Sequence, residues 1–194
     1  AIELIFMGVE AGLLSPALSR IKAYTAFGWW DALFEAARRQ GVVHSPLLWM
    51  PVTYAFLHGG LLHLVMNAAA FLGLGHAIAT LAGIRAAAVS FAVTAFSGAL
   101  LFSLITDFGG PLVGASGVIF GYIAMLTAWQ ERALRLAGQD RTPIWTRILA
   151  LVLVNVLLDF GMGGMLAWEA HLGGFLAGWI MASVFRPRRQ RRGW

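Results

Sequence analysis

The sequence predicts an all-α polytopic membrane protein with six transmembrane helices, carried by a single domain over residues 1–194. Three observations predict it. The chain is 59% hydrophobic and 12% charged, with mean hydropathy +0.76, whereas a soluble domain carries roughly 25% charged residues. No Asp, Glu, Lys or Arg occurs from Gln40 to Ile84, and uncharged runs follow at 86–106 and 108–130. Each is long enough to cross roughly 30 Å of hydrocarbon as helix. The alternating ten-residue segments of a membrane β-barrel are absent, which leaves helices to satisfy the backbone N–H and C=O groups in lipid.

Taken in order, residues 1–14 read as a helix too short to span, the outer part of a first transmembrane helix truncated at its N-terminus. They lack the basic n-region and cleavage pattern of a signal peptide. Residues 15–48 mix Ser, Pro and charged residues with Phe27, Trp29, Trp30 and Phe34, a composition suited to a long interfacial loop. Within it Trp30 to Arg39 has the periodicity of a short amphipathic helix. The second span is expected over about 52–79, the third over 86–106, and the fourth from Ser116 to Trp129. Gln130 to Arg147 reads as a polar loop, and Ile148 to Leu158 as the fifth span, with Pro143 to Thr146 adding its first turn. A glycine-rich loop over 159–168 precedes the sixth span at 169–185, and an arginine-rich tail follows.

Six spans put both termini on one side. That side carries ten of the 14 basic residues, Arg85 in one loop, four arginines in the next and five in the tail, against four in the long first loop. The positive-inside rule then places the termini in the cytoplasm and opens Ser116 to the outer side. The net charge of +5 is explained by this topology and calls for no nucleic-acid partner. Cysteine is absent, which excludes disulfides, thiolate metal sites and cysteine nucleophiles.

The chemistry gathers around residues 110–122, Gly-Pro-Leu-Val-Gly-Ala-Ser-Gly-Val-Ile-Phe-Gly-Tyr. They set Ser116 at the mouth of an apolar helix, where free N–H groups and the helix dipole favour developing negative charge. Taken alone, Ser116 reads more readily as an N-cap or as a small residue that lets helices approach. His171 opens the sixth span on the same helical face as Gly174 and Gly178, a small-xxx-small surface whose counterpart on the fourth span is Gly117 and Gly121. If those surfaces meet, imidazole and hydroxyl share one depth and the base can take the hydroxyl proton. Phe120, one turn below Ser116, can stack on the imidazole. Glu169 points to another face, and Asp107 and Asp159 sit at span ends as solvated caps, so the expected arrangement is a Ser-His dyad without a carboxylate behind the base.

His63 and Asn67, four apart on the second span, carry the donors an oxyanion hole needs; interhelical hydrogen bonding is the other use of such a pair. His58 is expected to orient the loop or water, and Thr53, Tyr54, His58, His63 and Asn67 to line a cavity open to the outer side. No His-Glu-x-x-His motif exists, and His58 with His63 has the wrong spacing for a shared metal on one helical face. Two Asp-Phe-Gly triplets lack the ATP loop and lysine of a kinase. The lipase elbow fails because Val118 replaces its second glycine.

Three segments, Gly114-Ala-Ser116-Gly117 with Phe120 and Gly121, Ala170-His171-Leu-Gly-Gly174 with Gly178, and His58-Gly-Gly-Leu-Leu-His63-Leu-Val-Met-Asn67, closely resemble the signatures of the rhomboid intramembrane serine proteases. The resemblance implies a six-helix core, Ser116 as nucleophile, His171 as general base, an oxyanion hole from His63, Asn67 and the Ser116 N–H, and Phe120 stacked on the base. It implies cleavage of transmembrane protein substrates in the bilayer of a bacterial cell membrane, without metal or cofactor. Catalytically inactive chaperones or adaptors share the scaffold but typically lack the serine or the histidine. A transporter fits less well, because no inverted repeat is present and the polar groups gather at one depth. One departure stands out. Many relatives carry Trp-Arg in the first loop, whereas Trp49 here precedes Met50.

Overall fold

A computed structural model describes residues 2–106, 109–161 and 163–188. Helix α1 (Ile2–Glu10) leads into a long first loop that holds α2 (Arg20–Phe27), α3 (Asp31–Gln40) and the short α4 (Met50–Thr53). The long helices follow: α5 (Leu61–Ala82), α6 (Ile84–Ile105), α7 (Ser116–Leu136), α8 (Thr142–Gly161) and α9 (Trp168–Val184). By length and composition α5, α6 and α8 are apolar enough to cross a membrane. Helix α7 carries a charged last turn and a half, and α9 is shorter, at 17 residues.

Three expected boundaries move, each for a local reason. The helix of the second span, α5, begins at Leu61, not at residue 52, because Pro51 opens α4, residues Tyr54–Phe56 tighten into a 3₁₀ turn, and Gly60 at φ 156° breaks the register. Helix α7 continues seven residues beyond Trp129, from Gln130 to Leu136, since Glu131 pairs with Arg135 at 3.7 Å on the next turn and Glu131 also accepts from Arg141 at 3.0 Å. Helix α8 starts at Thr142, where Asp140 Oδ1 accepts from the Thr142 N–H at 2.9 Å and Pro143 follows with no N–H to satisfy. These Thr142 hydrogen bonds hold the Asp140 carboxyl below its ordinary range. The expected loop over 130–147 is therefore confined to residues 137–141. Asp107 and the arginines beyond Arg188 lie outside the described residues.

The centre is α9, inserted between α7 and α6. A β-carbon built on Gly174 would collide with the Gly117 carbonyl, and one on Gly178 with the Gly121 carbonyl. On the α6 side, a β-carbon on Gly173 would meet the Ser97 carbonyl at 2.5 Å and Gly98 Cα at 3.0 Å, and Ser97 Oγ donates to the Gly173 carbonyl at 3.0 Å. With no side chain between the backbones, dispersion contacts are maximised where lipid supplies no hydrophobic drive for helices to associate. Buried polar side chains finish the packing: Tyr54 donates to the Ala95 carbonyl at 3.0 Å, Tyr122 to that of Ala87 at 2.8 Å, and Trp129 to that of Ala182 at 3.0 Å.

The first loop is sewn to this centre. Trp29 and Leu112 exchange backbone hydrogen bonds in an isolated antiparallel bridge, and Trp29 Nε1 donates to Ser103 Oγ at 2.8 Å. Trp49 Nε1 reaches the Ala26 carbonyl at 3.0 Å and Thr53 Oγ1 the Phe27 carbonyl at 2.8 Å. Met50 is 1% exposed and packs in the apolar core.

Candidate functional site

Ser116 opens α7 immediately after a loop that is tied down on both sides, by the Trp29–Leu112 bridge and by Gly114 N–H donating to the Tyr54 carbonyl at 3.1 Å. The loop is therefore fixed before the helix starts. The glycine-faced contact of α7 with α9 then brings the two side chains together, with His171 Nε2 2.8 Å from Ser116 Oγ. That is hydrogen-bonding distance for a serine and a base. Phe120 lies on the imidazole with ring centroids 4.4 Å apart and planes 4° from parallel. His171 is 6% exposed and Ser116 half-buried.

His63 stands on the other side of the loop. The Gly59 N–H, which can only donate, faces His63 Nδ1 at 3.2 Å, so Nδ1 is the acceptor and the neutral ring carries its proton on Nε2. That nitrogen points at the serine loop, because a β-carbon at Gly114 would meet His63 Cε1 and Nε2 at 2.8 and 2.9 Å. Gly114, at φ 114°, therefore answers two demands: a backbone conformation that other residues resist, and room for the imidazole. Asn67, one turn further along α5, donates through Nδ2 to the His63 carbonyl at 2.9 Å, while its buried Oδ1 has no partner among the described residues.

Thr53 and Tyr54 do not line the expected cavity. Tyr54 and Thr53 spend their hydroxyls on the Ala95 and Phe27 carbonyls. The cavity beside Asn67, of about 250 Å³, is lined by the expected His58 and Asn67 together with Glu3, Phe56, Phe71 and Phe91 among others, and His58 Nε2 is buried with no partner among the described residues. A second cavity of about 610 Å³ opens between α8 and α9, where His171, Asn155 and Asp159 interrupt walls of Leu, Val, Phe and Trp.

Asp159 is not a solvated cap. Its Oδ1 accepts from the Leu166 N–H at 3.2 Å and closes the loop between α8 and α9. No carboxylate stands behind His171 among the described residues, yet the position is filled: Asn155 Oδ1 lies 2.6 Å from His171 Nδ1. The sequence reading missed Asn155. The signal was there, because it is the only polar residue between Ile148 and Leu158, and a lone amide in a membrane helix marks a site before it marks anything else. Among the described residues no group of three His, Cys, Asp or Glu side chains is placed to hold a metal.

The Rhomboid domain family matches this chain over residues 46–188, which takes in Ser116, His171, His63, Asn67 and Asn155. RHOMBOID-like protein 1 of Arabidopsis thaliana is 30% identical over 155 residues, 77% of this chain and 37% of that protein. RHOMBOID-like protein 2 of the same plant is 27% identical over 190 residues, 95% of this chain and 54% of that protein. An uncharacterized protein of Mycobacterium tuberculosis is 31% identical over 159 residues, 75% of this chain and 62% of that protein. The chain thus spans about half the length, or less, of these plant relatives.

Proposed function

Since the chain belongs to the rhomboid family of membrane proteins, we propose that it is an intramembrane serine endopeptidase that cuts transmembrane segments of other proteins, with Ser116 as nucleophile and His171 as general base. The single observation that carries this reading is the 2.8 Å contact between His171 Nε2 and Ser116 Oγ beneath a stacked Phe120. A serine and a histidine with only structural duties would not need to meet at the mouth of a helix.

The mechanism follows from the donors and acceptors. Ser116 Oγ attacks a peptide carbonyl of a locally unwound segment while its proton passes to His171 Nε2. The oxyanion forms against the Ser116 backbone N–H, free at the first turn of α7, and the His63 Nε2–H directed at the serine loop. Asn67 serves beside them through the amide hydrogen not committed to the His63 carbonyl. His171 returns the proton to the leaving amine. Water then hydrolyses the acyl-enzyme, and the cavity that reaches Ala115 of the serine loop, mostly apolar but carrying Glu3, His58 and Asn67, is its route to the site. Neither metal nor cofactor takes part.

The remaining features of the proposal are a single domain in a six-helix bundle, set in a bacterial cell membrane with cytoplasmic termini and the site open to the outer side. The natural absence of cysteine makes orientation simple to test. A cysteine placed at Gln139 is expected to react with an impermeant maleimide only from the cytoplasmic side, and one at Gln40 only from outside; the reverse pattern overturns this orientation.

A fluorophosphonate probe tests the enzyme reading directly. It is expected to label the parent protein at Ser116 and to fail on Ser116→Ala and His171→Ala, with cleavage of a transmembrane substrate lost in both. An unlabelled, inactive parent would favour an inactive chaperone or adaptor on the same scaffold.

A further inference from the structure

We infer that Asn155 is a positioning residue for His171, so that the site works as a Ser116–His171–Asn155 relay of hydrogen bonds. This rests on the protease reading above. The geometry is unambiguous in its polarity. Asn155 Nδ2 lies 2.9 Å from the Leu151 carbonyl, an acceptor only, so the nitrogen of the amide faces Leu151 and its oxygen faces the imidazole. Asn155 Oδ1, 2.6 Å from His171 Nδ1, can only accept, and therefore fixes the imidazole proton on Nδ1. The lone pair of Nε2 is then left on the side of Ser116 Oγ, where the base must accept a proton.

The placement of Asn155 on its helix supports the same role. Leu153, Val154, Leu157 and Leu158 are exposed toward the surroundings and Val152 and Val156 face the cavity, while Leu151, Asn155 and Asp159, four residues apart, form the half-buried stripe of α8. Asn155 also lines the larger cavity together with His171 and Phe120. Phe120 holds the plane of the imidazole, and Asn155 holds its rotation within that plane and its tautomer. When the base takes the serine proton, both ring nitrogens carry hydrogen, and the Nδ1–H keeps its acceptor throughout. The amide stays neutral at every stage, so no charge has to be buried behind the base.

The test uses the full chain in liposomes with a transmembrane substrate. Asn155→Leu keeps the branched shape and removes the acceptor; kcat is expected to fall on the order of 100-fold, within the range lost when proton transfer is impaired, with KM changed less than threefold. Asn155→Asp restores an acceptor and is expected to recover most of that loss. A readout independent of turnover comes from ¹⁵N-histidine spectra in a Ser116→Ala background: the His171 proton is expected on Nδ1 in the parent and redistributed to Nε2 in Asn155→Leu. Unchanged kcat and an unchanged tautomer in a folded Asn155→Leu protein would overturn the inference while leaving Ser116 and His171 in their roles. Loss of Ser116 labelling by fluorophosphonate in the parent itself would instead overturn the reading beneath it.

Discussion

Phe120 shows how much a single apolar side chain can contribute to acid–base chemistry. An imidazole held only at its two nitrogens can still tilt about the line joining them, and the parallel ring 4.4 Å away removes that tilt. Aromatic pairs of this kind contribute about 0.5–1.5 kcal/mol beyond area burial. If all of that restraint is realised in the transition state, Phe120→Ala lowers kcat by up to about tenfold, and Phe120→Tyr, which keeps the stacking face, stays within twofold of the parent. A kcat for Phe120→Ala equal to that of the parent would mean that the stack is packing alone. At this scale the sequence was readable for Ser116, His171 and Phe120, because helical spacing fixes which residues share a face and a depth. Asn155 was less readable. Its partner lies 16 residues away on another helix, and no periodicity in α8 announces which neighbour an inward amide will meet.

At the scale of helices, the glycines decide what touches what. The sequence carries 23 of them, and the structure separates those that a side chain would crowd from those it would not. Gly174 meets the Gly117 backbone, which cannot move aside as a flexible side chain can, whereas Gly73 on α5 has nothing within 4 Å of where its β-carbon would sit. Gly174→Ala is therefore expected to force α9 off α7, destabilise the fold by about 1–3 kcal/mol and abolish fluorophosphonate labelling by parting the base from the serine. Gly73→Ala is expected to leave labelling intact and to stabilise slightly, by about 0.5–1 kcal/mol. Thermal unfolding in detergent, run beside the labelling assay, checks both, and equal behaviour of the two variants would contradict the backbone contact. The pairing of Gly117 and Gly121 with Gly174 and Gly178 was visible in the sequence because i, i+4 spacing is a local property. Helix ends were not, since hydropathy marks where lipid stops rather than where hydrogen bonding stops. Helix α7 runs on past its apolar stretch through Glu131 and Arg135, and α5 starts late because Gly59 and Gly60 break the helix within an uncharged run.

At the scale of the whole molecule, the first loop has to be held against the helices that carry the site, and the arginine expected beside Trp49 is replaced here by a buried Met50. Arg20 provides a fastening. Its guanidinium grips Glu3 of α1 through two hydrogen bonds, at 2.6 and 3.0 Å, and also bonds Glu10 at 3.0 Å and the His58 carbonyl at 2.8 Å. Tyr24 donates to that same carbonyl at 2.7 Å, and Phe6 lies under the guanidinium at 5.0 Å. One cation thus joins α1, α2 and the His58–Gly59 turn, whose next N–H sets the tautomer of His63. Glu3 is 2% exposed, so its carboxylate depends on this partner. Removing one member of a buried ion pair strands the other and costs about 3–5 kcal/mol, whereas replacing both by apolar residues of similar volume is often close to neutral. Arg20→Ala is expected to lose stability by up to that amount, since Glu3 is buried but Arg20 itself is 20% exposed. The double variant Glu3→Leu with Arg20→Met is expected to recover most of it, because no buried charge is left unpaired. Chemical unfolding of the two variants, compared with the parent, decides the matter: a double variant at least as unstable as the single one would show that Arg20 acts through Glu10 and the His58 carbonyl rather than through Glu3.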